Sequence, residues 1–529
     1  MFYHRATQTY LWALPLINTL GSACFRSNRR NGNLDNGWNA STMRLLTMGL
    51  TLRAWQDKAH PRERENRGTL GLIRGLYPAL ALLALAALVQ PVFAQDGSGP
   101  LPQQGTADNS QAAACLFCDL WTRPTLTGDW GGYRSRLQER GLTFGAKVTQ
   151  FGFGVRGGIS APVPPPLSQG DRSSYTGRGQ YDLGVDLEKF GGLPKGRLVV
   201  TAEHWWGDYG NVSLSTGAGA PAVVGAALPP TPNDPGALYL TNFFVVQPFS
   251  PNFVVFAGKK IVVGEMDQDR FAGGNGTQQF MNMALVGNLA FLTGLPYTSF
   301  SAGVVSPQKW GQMAISVRDP QNRTTDTVGL GNLFSTGVIV SSEVRFTTNF
   351  FGLPGDQHVG GVWKRYDQQN LNFLLSPPPQ FPETGGASSQ TLSQGYTVFY
   401  GFDQFVVRYS DDEERGWGFF GRASLSDGNP TPVRYFLSAG IGGDSPFKGW
   451  SRGDTFGLGW YYVGASTEFS PVTQALFAPR NGTGVELFYK VQVTPWLDIT
   501  PDIQYIKPGL LSRIADEAYV FGVRVNMML

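Results

Sequence analysis

From Leu142 to the C-terminus, apolar and polar side chains alternate with a period of two. In residues 485–494, Val485, Leu487, Tyr489, Val491 and Val493 share one face, and Glu486, Phe488, Lys490, Gln492 and Thr494 share the other. The last segment sets Tyr519, Phe521, Val523, Val525, Met527 and Leu529 against Gly522, Arg524 and Asn526. Upstream, Val338, Val340, Val344 and Phe346 oppose Ser341, Glu343, Arg345 and Thr347, while Phe405, Val407 and Tyr409 oppose Arg408. This pattern predicts strands with one apolar and one polar face. Before Leu142 the spacing changes: Trp130, Tyr133 and Leu137 recur at i, i+3 and i+7, which predicts a short amphipathic helix ending at Gly141. Half-buried strands of a soluble sandwich also alternate, so periodicity alone does not choose the class.

The N-terminal region changes the picture. Arg62, Arg64, Arg67 and Arg74 lead into the apolar run Gly75–Val89, followed by Gln90-Pro91-Val92-Phe93-Ala94. A basic flank, a short apolar core and a small residue at its end predict a secretory signal peptide cut after Ala94. The expected organisation is an N-terminal extension and signal peptide over 1–94, with Met43 or Met48 as alternative starts, a flexible periplasmic linker over 95–125, and a barrel over 126–529. An export signal, more strands than one sandwich holds, and an apolar face running to the last strand together predict an all-β fold. The expectation is a transmembrane antiparallel β-barrel of roughly 16 to 18 strands with the short helix at its N-terminal side. The Gly- and Pro-rich inserts 157–170, 217–235 and 376–390 read as extracellular loops. Met266–Asn275 resembles a calcium loop only until Phe271 occupies an oxygen position, and its glycines suit a loop folded into the barrel instead.

Composition narrows the function. A chain with 13% aromatic and 15% charged residues and 68 Gly is not a disordered one. Residues 1–94 hold 11 Lys/Arg against 4 Asp/Glu, so the remaining chain is slightly acidic and offers no clustered basic face for nucleic acid. Cys115 and Cys118 flank Leu116-Phe117 in the exported segment, where a local disulfide is expected rather than a metal or redox centre. Enzyme chemistry finds little support. The only histidines after the signal are His204, outward by parity, and His358, in a Gly-rich stretch read as a loop, and neither a G-x-S-x-G nor an H-E-x-x-H motif occurs.

Leu126-Thr127-Gly128-Asp129-Trp130-Gly131-Gly132-Tyr133-Arg134 through Arg140-Gly141-Leu142-Thr143-Phe144 resembles the N-terminal signature of the OprB-type carbohydrate-selective porins. Asp186–Lys189, Phe271-Ala272 through Gln279–Asn282, and Pro495-Trp496-Leu497 with Pro501–Tyr505 and Pro508-Gly509 extend the resemblance over about residues 120–529. The ending Met527-Met528-Leu529 departs from that family's aromatic one. The resemblance implies a barrel in the outer membrane of a Gram-negative bacterium. Such a barrel is surrounded by outer-membrane lipids, installed by the barrel-assembly machinery, monomeric or trimeric, and passes small neutral sugars by diffusion without a cofactor. A general-diffusion porin is the alternative, and a barrel enzyme or an adhesive barrel a more distant one.

A neutral sugar wants hydrogen-bonding groups of both signs and a flat aromatic face. Inward parity supplies Glu203, Glu343, Arg345, Arg408 and Arg422 as candidate pathway residues, together with Lys147, Glu486, Lys490, Asp498, Asp502 and Arg524. In Arg197–Trp206, alternation from outward Leu198, Val200 and Ala202 sends Thr201, Glu203 and Trp205 inward. Trp206 then falls in the interfacial aromatic girdle, and the alternative places Trp205 in that girdle as well.

Overall fold

The computed structural model describes residues 119–163, 169–208, 210–218, 225–228, 236–328, 330–374, 390–409, 412–447 and 453–529. The expected signal peptide, most of the linker, and both Cys115 and Cys118 lie outside the described residues.

The strands are β1 (Leu142–Ile159), β2 (Ser173–Asp186), β3 (Arg197–Gly207), β4 (Tyr239–Ser250), β5 (Phe253–Ile261), β6 (Thr298–Gln308), β7 (Gly311–Arg318) and β8 (Gly337–Phe350). They continue as β9 (Leu353–Tyr366), β10 (Gly395–Tyr409), β11 (Asp412–Ser426), β12 (Val433–Asp444), β13 (Thr455–Ala465), β14 (Gly482–Thr494), β15 (Leu497–Lys507) and β16 (Ala515–Met528). Each pairs antiparallel with its sequence neighbours, and β1 pairs with β16 to close a 16-strand barrel. Closure leaves no strand edge unpaired, which is what allows a sheet to sit in lipid.

Connections differ between the two ends. Those at 251–252, 309–310, 351–352 and 495–496 are tight turns, at the end where the chain enters β1 and leaves β16. The opposite end carries the long segments 208–238, 262–297, 319–336 and 367–394. Of the three inserts read as loops, the start of the first belongs instead to β1, which runs on to Ile159.

The outer face exposes Leu183, Ile315, Val317, Val398, Leu437, Leu458, Leu487, Ile503, Phe521 and Val523. Such a belt suits hydrocarbon. His204 and Trp206 lie on this face, stacked in a column with Tyr181. The predicted helix forms as α1 (Tyr133–Glu139), and it ties the N-terminal segment to the last strand. Arg134 sits over the Trp130 ring and donates to the Leu529 carbonyl at 2.9 Å, while the Leu126 N–H donates to the Met528 carbonyl at 2.7 Å.

Candidate functional site

The interior is shaped by residues 262–297, which fold into the barrel rather than over its rim. Two single-turn helices, α2 (Met283–Val286) and α3 (Leu289–Leu292), form at the Asn282 and Asn288 side chains, which accept from the Ala284 and Ala290 N–H groups. Neither helix is long enough to hold itself together, so packing must hold both. Phe271, Phe280, Leu285 and Val286 pack against Phe405, Phe420, Phe436 and Phe488 of the wall. A second cluster joins Met266, Phe291 and Leu295 to Ile339, Val362 and Phe399.

Inward-facing glycines make room for that packing. A Cβ at Gly457 would lie 2.7 Å from the Phe280 ring, one at Gly459 2.8 Å from the Leu285 methyls, and one at Gly418 2.5 Å from the Phe271 ring. Side chains there would displace the loop. The glycines that composition alone would assign to turns thus also build a flat floor.

Polar wall residues satisfy the loop backbone, whose buried N–H and C=O groups have few partners of their own. Arg422 donates to the Leu285 carbonyl at 2.8 Å and the Ala272 carbonyl at 2.6 Å. Arg524 donates to the carbonyls of Gly276 at 3.0 Å, Gln278 at 2.9 Å and Gln279 at 2.9 Å. Glu486 accepts the N–H groups of Met281 and Asn282, and Lys364 donates to the Thr293 carbonyl at 2.5 Å.

All six candidate pathway residues point inward, but they do not meet in one place. Glu203 is fully buried, paired with Arg178 and accepting from the Tyr297 hydroxyl at 3.0 Å. Trp205 is buried beside it, between Tyr239 and Tyr297, with the Arg178 guanidinium over its ring at 5.2 Å. Across the barrel, Glu343 accepts the Asp267 N–H at 2.7 Å, Arg345 donates to the Gln268 carbonyl at 2.7 Å, and Arg422 is buried beneath the loop. Arg408 is half-buried, its guanidinium 5.8 Å from the Phe405 ring.

Two expectations are corrected. His358 does not lie in a loop: it sits on β9, inward and buried, its Nε2 facing Asp267 Oδ1 at 3.2 Å, because the glycines of its stretch fall within strand pairing. Phe405 does not oppose Arg408, since a register shift between Phe405 and Val407 brings both inward. Arg178, Lys364 and Arg270 were missed. Arg178 was detectable by parity with Gln180 and Asp182, but nothing local to the sequence marks Arg270.

Arg270 is the loop's most open charged side chain on this wall, 43% exposed. It lies 3.5 Å from Asp356 and 3.8 Å from Asp403, with its guanidinium 4.9 Å from the Phe405 ring. Arg345, Asp356 and Arg408 are half-buried on the same inner face, Asp356 paired with Arg270 and Arg408 sharing the Phe405 ring with it. The cluster offers donors, acceptors and an aromatic edge with its charges largely balanced. It can hydrogen-bond a polyhydroxylated solute without a strong field of either sign.

A closed 16-strand barrel with an apolar belt outside, polar groups inside and a loop narrowing its interior defines an outer-membrane porin. The chain belongs to the carbohydrate-selective porin, OprB family, whose pattern matches residues 171–529. It is 25% identical to Porin B of Pseudomonas aeruginosa over 190 residues, covering 33% of this chain and 41% of that protein. It is 22% identical to the putative porin QuiX of Acinetobacter baylyi over 454 residues, covering 78% of this chain and 95% of that one. The solved high-pH structure of Pseudomonas putida OprB superposes with a TM-score of 0.63 at 19% identity, covering 77% of this chain and 99% of that chain.

Proposed function

We propose that this porin lets small neutral sugars cross the outer membrane by passive, gradient-driven diffusion, with no cofactor and no chemical step. Family membership carries this reading, supported by a lumen narrowed on one side by the infolded loop. Solute passes the Arg270–Asp356–Arg345–Arg408 wall. Glu203, Trp205, Glu343 and Arg422 act from behind, holding the loop and wall that fix the bore. Surrounding lipid contacts the apolar belt, and the barrel-assembly machinery inserts the chain.

Liposome swelling with sugars and with non-sugar polar solutes of equal size tests the proposal. Faster entry of the sugars supports it. Equal rates at equal size would favour the general-diffusion reading, and absence of swelling would contradict both. Among the described residues, His358 is buried against Asp267 beneath the loop and His204 lies on the outer face, and neither position favours a hydrolytic role.

A further inference from the structure

We infer that Asp267, Asp269, His358 and Arg422 form a latch that holds the infolded loop when the cluster carries one extra proton, and that acid tightens it. Asp267 and Asp269 belong to the loop, His358 to β9 and Arg422 to β11, and all four side chains are fully buried. His358 Nε2 faces Asp267 Oδ1 at 3.2 Å, and its Nδ1 lies 3.8 Å from Asp269 Oδ1. Arg422 Nε lies 2.8 Å from Asp269 Oδ2 and 3.4 Å from Asp267 Oδ2. Asp267 also accepts the Asn288 N–H at 2.8 Å, so this cluster fixes the start of α3.

The charges do not balance without a proton. Two carboxylates face one guanidinium, and an unpaired buried charge is costly. The other charged groups packed around the cluster are engaged elsewhere. On β8, Glu343 accepts the Asp267 N–H and faces Arg345 at 3.3 Å, while on β10 Asp403 faces Arg270 of the loop. Apart from the Arg422 ion pair at Asp269 Oδ2, no hydrogen bond among the described residues reaches Asp269 Oδ1 or His358 Nδ1. Asp269 Oδ2 faces Arg422, so the extra proton is carried on Asp269 Oδ1 or on His358 Nδ1, which stand 3.8 Å apart. Burial pushes the Asp269 carboxyl up from its ordinary 3.8 to about 7, a direction that agrees with the geometry.

The sign follows from linkage. With the loop docked, Asp269 holds its proton up to about pH 7; with the loop released into water it loses it near pH 4. Between those values the docked state binds one proton more, so the opening constant rises up to about tenfold per pH unit and levels off above about pH 7.

Hydrogen exchange of the 283–292 amides in the purified barrel, corrected for intrinsic rates, reads that opening. The wild type should show the rising slope and the plateau. D269N, which carries the neutral form permanently, should exchange at a rate independent of pH. A flat wild-type profile, or the same slope in D269N, would overturn the latch. Should D269N fail to assemble, single-channel recordings of the wild type decide: gating flicker must increase towards pH 7, and a constant record contradicts the inference. The exchange slope does not depend on sugar transport. A barrel with the slope but no sugar flux would therefore leave the latch standing and remove the proposed function on which its physiological meaning rests.

Discussion

Glu486 on β14 accepts the backbone N–H of Met281 at 2.6 Å, joining a buried wall carboxyl to the tip of the infolded loop. The same side chain takes the Asn282 N–H at 2.9 Å, so both its oxygens are occupied by consecutive loop donors. Glu486→Gln would turn one oxygen into an N–H₂ group facing a donor and leave one loop N–H buried without a partner. A loss of about 1–3 kcal/mol of docking stability is expected, read as faster proteolysis or hydrogen exchange across 280–286 with barrel formation unchanged.

The glycine floor should be intolerant of even one carbon. Gly457→Ala would bring a methyl within 2.4 Å of the Phe488 ring and 2.7 Å of Phe280, and overpacking of this kind costs about 1–3 kcal/mol. The midpoint of urea unfolding should fall accordingly. The same substitution at Gly152, which has nothing near it, should leave the midpoint in place.

Trp205 and Arg270 should separate structure from passage. Trp205→Ala empties a buried position and should cost about 3–5 kcal/mol of stability. Arg270→Ala removes a partly exposed group whose partner Asp403 is buried, so it should cost less stability than Trp205→Ala while shifting ion selectivity towards cations, because a positive charge leaves the lumen wall. Reversal potentials in a salt gradient and thermal unfolding of the two variants measure both effects.

Alternation made much of the barrel legible. Every inward residue singled out from sequence, from Lys147 to Arg524, lies on the inner face, since a period of two leaves no other choice once one strand is oriented. The bulge at Phe405 broke that rule locally and reversed its face. The site itself was much less legible. Parity says that Glu203 and Arg422 point inward but not that a loop remote in sequence covers them, and Arg270 carries no periodic signal at all.

The expected signal peptide makes its own prediction. Cleavage after Ala94 would leave Gln95 at the N-terminus, and mass spectrometry of the purified protein should find it there. A disulfide between Cys115 and Cys118 would close only a very small ring, so the double Ser variant should insert and conduct like the wild type.

Selection of carbohydrates by this barrel during passive diffusion is measured most directly as the initial swelling rate of liposomes containing the purified protein. Isosmotic glucose is compared with a neutral non-sugar solute of matched size, for the wild type and Arg270→Ala. Faster entry of the sugar is expected in the wild type, and a reduced sugar advantage in the variant. Equal rates for both solutes in the wild type would contradict carbohydrate selection.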